Sequence, residues 1–182
     1  DLGGGMGADR AVAAPGDPSS LSLTAVGQAG SYFDVTVNPG ASIELEVARS
    51  NPSSSAVAAR TFAGSVFTIV NGGFGASESG SPAEGATAWV DYPEEVFTLE
   101  AGETNVKTFT VTVPGGTAPG QYISSIVLQN DVPLPGSGQV ALSRIIRPAV
   151  AISIRVPGTL NPAFSLGGAR HESVGGRSVV EV

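Results

Sequence analysis

The chain has 182 residues, 41% of them hydrophobic and only 14% charged, with a net charge of −7 and no cysteine. Such an acidic balance is unsuited to nucleic acid or to anionic lipid, both of which recruit basic residues, and the lack of cysteine excludes thiol catalysis and thiolate metal sites. No apolar run approaches the roughly 18 residues of a membrane-spanning helix, while 25 Gly and 13 Pro suit many short strands joined by turns.

Residues 1–20, DLGGGMGADRAVAAPGDPSS, carry little apolar bulk and read as an extended Gly/Ala-rich leader. The chain begins at Asp1 without Met, as expected of a mature form from which a secretion signal was removed. Strand signals then recur. In 31–37, SYFDVTV, Phe33, Val35 and Val37 share one face, and Asn38-Pro39-Gly40 forms a turn. In 42–48 the inward set is Ile43, Leu45 and Val47, with Glu44 and Glu46 outward. Asn51-Pro52-Ser53 breaks that strand, and 56–62 and 65–70 read as two more. A polar loop is expected over 72–85.

Residues 86–92 and 95–99 are the next expected strands, followed by a turn at Ala101-Gly102-Glu103. The cleanest alternation lies in 104–113: Phe109, Val111 and Val113 on one face, Thr108, Thr110 and Thr112 on the other. Residues 121–129 and 139–156 complete the set, and Pro148 suggests that the last run is two strands or carries an edge bulge. No segment has a 3.6-residue period. Strands every 8–12 residues indicate an all-β, immunoglobulin-like antiparallel sandwich over about 21–157. Residues 158–182 read as a C-terminal extension or the start of a second such domain.

Two stretches carry a family resemblance. SYFDVTVNPGASIELEVARSN has an extended strand, a Pro-Gly turn and a strand closing on an Asn-containing turn. ATAWVDYPEEVFTLEAGETNVKTFTVTVPGGTAPGQYISSIVL has a Trp-bearing strand, a Leu-x-x-Gly turn, a Phe-Thr-Val-Thr-Val-Pro strand and a Pro-Gly before a Tyr-bearing strand. Together, over about 31–156, they resemble the peptidoglycan-binding domain of WxL-interacting proteins, a bacterial Ig-like surface module. The resemblance implies an extracellular, wall-associated location and a cell-wall polymer or another surface protein as partner. NGGFGASESG stands where Gram-positive members carry an Asn-rich, Tyr-containing motif.

Chemistry-bearing residues are few. His171 is the only His; with only Glu172 adjacent and no Gly-x-Ser-x-Gly elbow, it reads as a solvated side chain. Asp91, Glu94 and Glu95 could pair as glycosidase acids or hold Ca²⁺, but three acids around one turn read as a solvated corner. Trp89 is expected in the core, and Tyr92, beside Pro93, at the surface as a possible binding aromatic. The Gly-rich stretches at 3–7, 72–75 and 167–168 lack the Lys-Ser/Thr and helix of a phosphate loop. No catalytic residue, metal site or cofactor is expected, and no membrane insertion.

Function is therefore expected in binding or assembly. Open sheet edges accept strands, so the extended ends could add to a neighbouring subunit and build a homopolymer. Ala11, Val12, Ala13, Leu21 and Leu23 would anchor the N-terminal end, and Val179 and Val180 the C-terminal one.

Overall fold

The computed structural model describes residues 21–69, 73–133, 145–160, 170–174 and 177–181, the last two stretches as backbone strands. Two packed β-sheets make up the body, as the alternation predicts. One has four strands in the order β1 (Ser22–Ala25), β3 (Ser42–Ser50), β9 (Thr104–Thr112), β7 (Val90–Asp91). The other has five: β2 (Phe33–Thr36), β11 (Ala149–Val156), β10 (Gly120–Asn130), β4 (Val57–Gly64), β8 (Glu95–Leu99). Pairing is antiparallel within these sheets except between β2 and β11, which run parallel with Phe33 opposite Ile152 and Thr36 opposite Arg155. The chain passes back and forth between the two sheets at every connection from β1 to β4 and from β7 to β10, and only β10 and β11 follow each other within one sheet. The fold is an Ig-like β-sandwich.

The period of two decides which side chains meet. Leu45 and Val47 of β3 and Phe109 and Val111 of β9 face Phe33, Val35, Ile126, Ile152 and Ile154 from the other sheet. Phe109 receives two aromatic edges, from Phe33 at 5.5 Å and Tyr92 at 5.6 Å, both near perpendicular. A smaller cluster of Leu21, Val57, Ala59, Leu99 and Leu128 adjoins it, with Leu23 packed against both. Leu21 and Leu23, expected to reach a neighbouring subunit, are instead held by their own sandwich. Ser22–Ala25 pairs with Ser50–Val47, and that ladder sets Leu23, with Leu21 just before it, against the core.

One corner is stitched by Asn51, which is buried. Its amide donates to the carbonyls of Ser55 (2.8 Å), Leu99 (2.9 Å) and Glu100 (3.1 Å), and its Oδ1 accepts from the Ser53 amide and hydroxyl. The β3–β4 turn is thereby locked to the β8–β9 turn, where Gly102 donates to the Asn51 carbonyl. Gly102 takes φ +73°, which a side chain would strain.

Three expectations about elements change. Residues 86–92 are not one strand: Gly85–Trp89 is a 3-10 helix, and only Val90–Asp91 pairs, with Val111 and Thr110. The expected loop over 72–85 contains β6 (Phe74–Ala76), which folds back on β5 (Val66–Thr68) as a hairpin. In the run 139–156, β11 starts after Pro148; the Pro148 carbonyl accepts the Leu128 amide, but proline has no N–H to return the bond, and the regular ladder ends at Val127–Ala149. Two further strands, β12 (Arg170–Val174) and β13 (Arg177–Glu181), form a separate antiparallel hairpin.

Candidate functional site: a groove on the five-stranded sheet

The β5–β6 hairpin lies against the outer face of the five-stranded sheet. Arg147 fastens it: its guanidinium donates to the carbonyls of Ala76 and Ser77, pairs with Glu78 at 2.7 Å and lies 5.6 Å from the Phe62 ring centre. Ser65 and Ser77 close the base, amide to carbonyl at 2.8 Å and amide to hydroxyl at 2.9 Å. This cover explains why 124–130 of β10 is buried without a break, both faces being occupied.

Below the hairpin the same sheet face is open, and a groove of about 480 Å³ runs across it, a size within the roughly 300–1,000 Å³ of small-molecule sites. Its floor is shallow-chained: Ala149 and Ala151 of β11 and Ser125 of β10 stand where larger residues would fill the space. Ile123 rises beside them, Tyr32 walls one side, and Val66 and Phe74 wall the other. Phe74 is 68% exposed, Tyr32 47% and Ile123 40%. Gly75 shapes the hairpin wall, because the Phe67 ring lies across it; a Cβ there would sit 2.6 Å from that ring.

One end of the groove is polar. The Gln121 amide donates to the Ser153 hydroxyl at 2.9 Å, which reaches Asp34 Oδ1 at 3.4 Å. Arg155 lines the same end and is exposed. Of the described basic side chains, Arg49, Arg60, Lys107 and Arg147 are ion-paired, and Arg155 has no such partner among the described residues.

The residues singled out from sequence lie elsewhere. Tyr92 is a correction: it is 4% exposed, not a surface aromatic. It sits where the chain crosses from β7 to β8, so its ring turns inward onto Phe109. Its hydroxyl lies 2.9 Å from Thr61 Oγ1, and the single Thr61 proton goes to the Val127 carbonyl at 2.8 Å, so the tyrosine is the donor. Burial holds the Tyr92 phenol above its ordinary pKa, with the positive charge of Arg49 acting in the opposite direction. Trp89 is half-buried at the margin of the core and packs on Tyr122, ring centres 4.7 Å apart.

Asp91 and Glu94 are exposed, as a solvated corner requires, but Glu94 and Glu95 are also ion-paired. Glu94 pairs with Arg60 and accepts from the Ser79 hydroxyl at 2.6 Å; these two bonds, Ser79 first, hold its carboxyl below the ordinary range. Glu95 joins Lys107 at 2.8 Å and Arg49. Burial pushes the Glu95 carboxyl up, but the two cations outweigh it and the result lies below the ordinary value. Arg49 is only 5% exposed; it bonds Glu95 and Asn105 and covers the Phe97 ring at 4.1 Å, tying β3, β8 and β9 together. Glu94 and Glu95 are thus engaged with cations of other strands, and among the described residues no group of three or more acid or His side chains is placed to hold a metal. Asp91 is exposed on the four-stranded sheet.

In the C-terminal hairpin, His171 stands opposite Val180 and Glu172 opposite Val179, so both valines' backbones are paired within the chain. Ala11, Val12 and Ala13 lie outside the described residues. The groove went unread in the sequence. The signal available was small residues, Ala149 and Ala151, at outward positions of a strand otherwise rich in Val and Ile.

No protein-family model and no characterised protein sequence matches the chain. Solved structures similar to it include the following three. One is a PapD-like domain of human CEP192, with 12% identity and a TM-score of 0.44, covering 86% of this chain and all of that one. Another is the CARDB domain of a Pyrococcus furiosus protein in complex with di-metal ions, at 14% and 0.44, covering 76% of this chain and 88% of that one. The third is a family 123 glycoside hydrolase from Clostridium perfringens, at 13% and 0.42, covering 79% of this chain but only 28% of the enzyme. At such identities nothing of their ligands or activities transfers.

Proposed function

We propose that this chain is a non-enzymatic binding module of the bacterial cell surface that engages a cell-wall polymer through the outer face of its five-stranded sheet. The observation that carries the reading is the groove: exposed Phe74, Tyr32 and Ile123 gathered around an alanine floor, with Arg155, which has no ion-pair partner among the described residues, at its end. Exposed apolar side chains gathered around one concavity, rather than scattered singly, mark an interaction site. The engagement of Glu94 and Glu95 in ion pairs supports a role without glycoside chemistry, since neither acid is free to act on a substrate. The direct test is co-sedimentation of the protein with purified peptidoglycan sacculi. Wild type should pellet with them, and a Phe74→Ser/Ile123→Ser variant that keeps its far-UV spectrum should remain in the supernatant. Equal pelleting of both would remove the groove from the reading.

A second reading, a subunit of an extracellular filament that accepts a strand from its neighbour, is favoured by one feature. The β2 ladder begins at Phe33 opposite Ile152, so Ala149–Ala151 of β11 have no β2 partner on that edge. Deletion of residues 1–20 should then abolish filaments seen by negative-stain microscopy. Single particles from the intact chain at every concentration would exclude it.

A further inference from the structure

Resting on the wall-polymer reading, we propose that the groove recognises the peptide stem of the polymer rather than its glycan strand. The assignment follows from which chemistry the walls can satisfy. Phe74, Val66, Ile123, Ala149 and Ala151 offer no hydrogen-bonding side chain, Tyr32 offers a single hydroxyl, and the polar end is already partly self-satisfied through Gln121, Ser153 and Asp34. A glycan presents a hydroxyl or amide at almost every ring carbon. Laid along the alanine floor and against walls with so few polar side chains, several of those groups would lose water without gaining a partner. A wall peptide presents alanyl methyls, which the alanine floor and Phe74 can cover. It also carries free carboxylates, and in many walls the amine of a diamino acid.

Both charges have a counterpart in the groove. Arg155 is the described cation left without an acid, so its guanidinium is free to take a carboxylate through two parallel bonds. Asp34 stands opposite Ser153 on the neighbouring strand, two register pairs from Thr36–Arg155 and so on the same sheet face, and would face the amine. Asp34 would repel a ligand bearing carboxylates alone, so the pair selects for a peptide with both signs of charge. The groove is about 480 Å³, enough for a few small residues and too little for an enclosed polysaccharide chain.

The test uses the intact 182-residue protein and two defined probes, the synthetic tetrapeptide L-Ala–γ-D-Glu–meso-diaminopimelate–D-Ala and chitotetraose. Binding is read by calorimetry and by amide shifts in a ¹H–¹⁵N correlation spectrum. The tetrapeptide should bind saturably and shift the amides of Ile123, Ala149 and Ala151, whereas chitotetraose should not. Arg155→Gln should weaken the tetrapeptide by about tenfold or more, the loss of a charge-assisted bond. Ala151→Leu, which fills the floor at an exposed position, should abolish binding with the fold intact. If that variant fails to fold, Arg155→Gln decides alone. Chitotetraose binding in place of the tetrapeptide, or tetrapeptide affinity indifferent to Arg155→Gln, overturns the inference. Sacculi that still pellet the protein while the tetrapeptide leaves the groove amides unshifted would refute the peptide assignment and leave the wall-polymer reading standing; failure to pellet would refute the reading itself.

Discussion

Tyr92 and Thr61 form a hydroxyl pair whose direction can be tested by stability. The Thr61 proton is committed to the Val127 carbonyl, so Tyr92 donates and Thr61 accepts. Tyr92→Phe removes only a donor; Thr61 keeps its bond to Val127, and the loss should be about 0.5–1.5 kcal/mol. Thr61→Val preserves shape but strands the Tyr92 hydroxyl at a position 4% exposed and takes a donor from Val127. Leaving a buried donor unpaired costs about 1–3 kcal/mol, so this change should be the more damaging one. The double variant strands no tyrosine hydroxyl, so it should be more stable than the sum of the singles predicts, by about 1 kcal/mol. Urea unfolding at neutral pH measures all three, and each kcal/mol should lower Tm by roughly 2–4 °C for a chain of this size. Strict additivity, or a Thr61→Val variant as stable as wild type, would refute the bond direction argued here. The phenol adds a pH signature. Its folded pKa is raised above the ordinary 10.0, so the stability it contributes is full below that pH and fades as pH rises above it. The gap between wild type and Tyr92→Phe should therefore narrow under alkaline conditions.

Other consequences are more local. Asn51→Asp replaces the amide that donates to three carbonyls by a carboxylate facing them, and should cost more than Asn51→Ala, itself about 2–3 kcal/mol; equal melting temperatures for the two would contradict the staple. The lowered pKa of Glu94 means that its contribution is present above the ordinary carboxylate value of 4.5 and lost as pH falls through the folded value. Glu94→Gln should flatten the acid limb of a stability–pH profile, by a small amount because the side chain is a third exposed. Gly75→Val should displace the Phe67 ring and distort the hairpin wall, weakening ligand binding while the denaturation midpoint of the sandwich moves little; an unchanged affinity would separate the hairpin from the site.

The inner faces of the sandwich were legible because a half-buried strand has a simple rule. Phe33, Val35 and Val37, and later Phe109, Val111 and Val113, alternate with polar residues, and water alone enforces that pattern. The turns at Gly40 and Gly102 were legible because few residues accept their backbone. Where burial came from elsewhere, the rule failed. Residues 86–89 alternate in character but wind into a 3-10 turn packed on β10, and the Gly-rich stretch after Thr68 hid a strand whose partner lies a few residues upstream.

Tyr92 marks the boundary between the two kinds of knowledge. A tyrosine next to proline and two glutamates has a surface composition, and local sequence could say nothing more. Its burial is set by the chain crossing between sheets, and the charges around it are neutralised by Arg49, Arg60 and Lys107, far away along the chain. The groove has the same origin, since Tyr32, Phe74, Ile123 and Arg155 come from four separate segments. Sequence by itself determined the period of the strands, hence the sandwich and its apolar interior, because solvent acts on each strand independently. Only the tertiary structure decided which outward residues gather into a concave surface, because that depends on strand order, on register and on where one hairpin folds back.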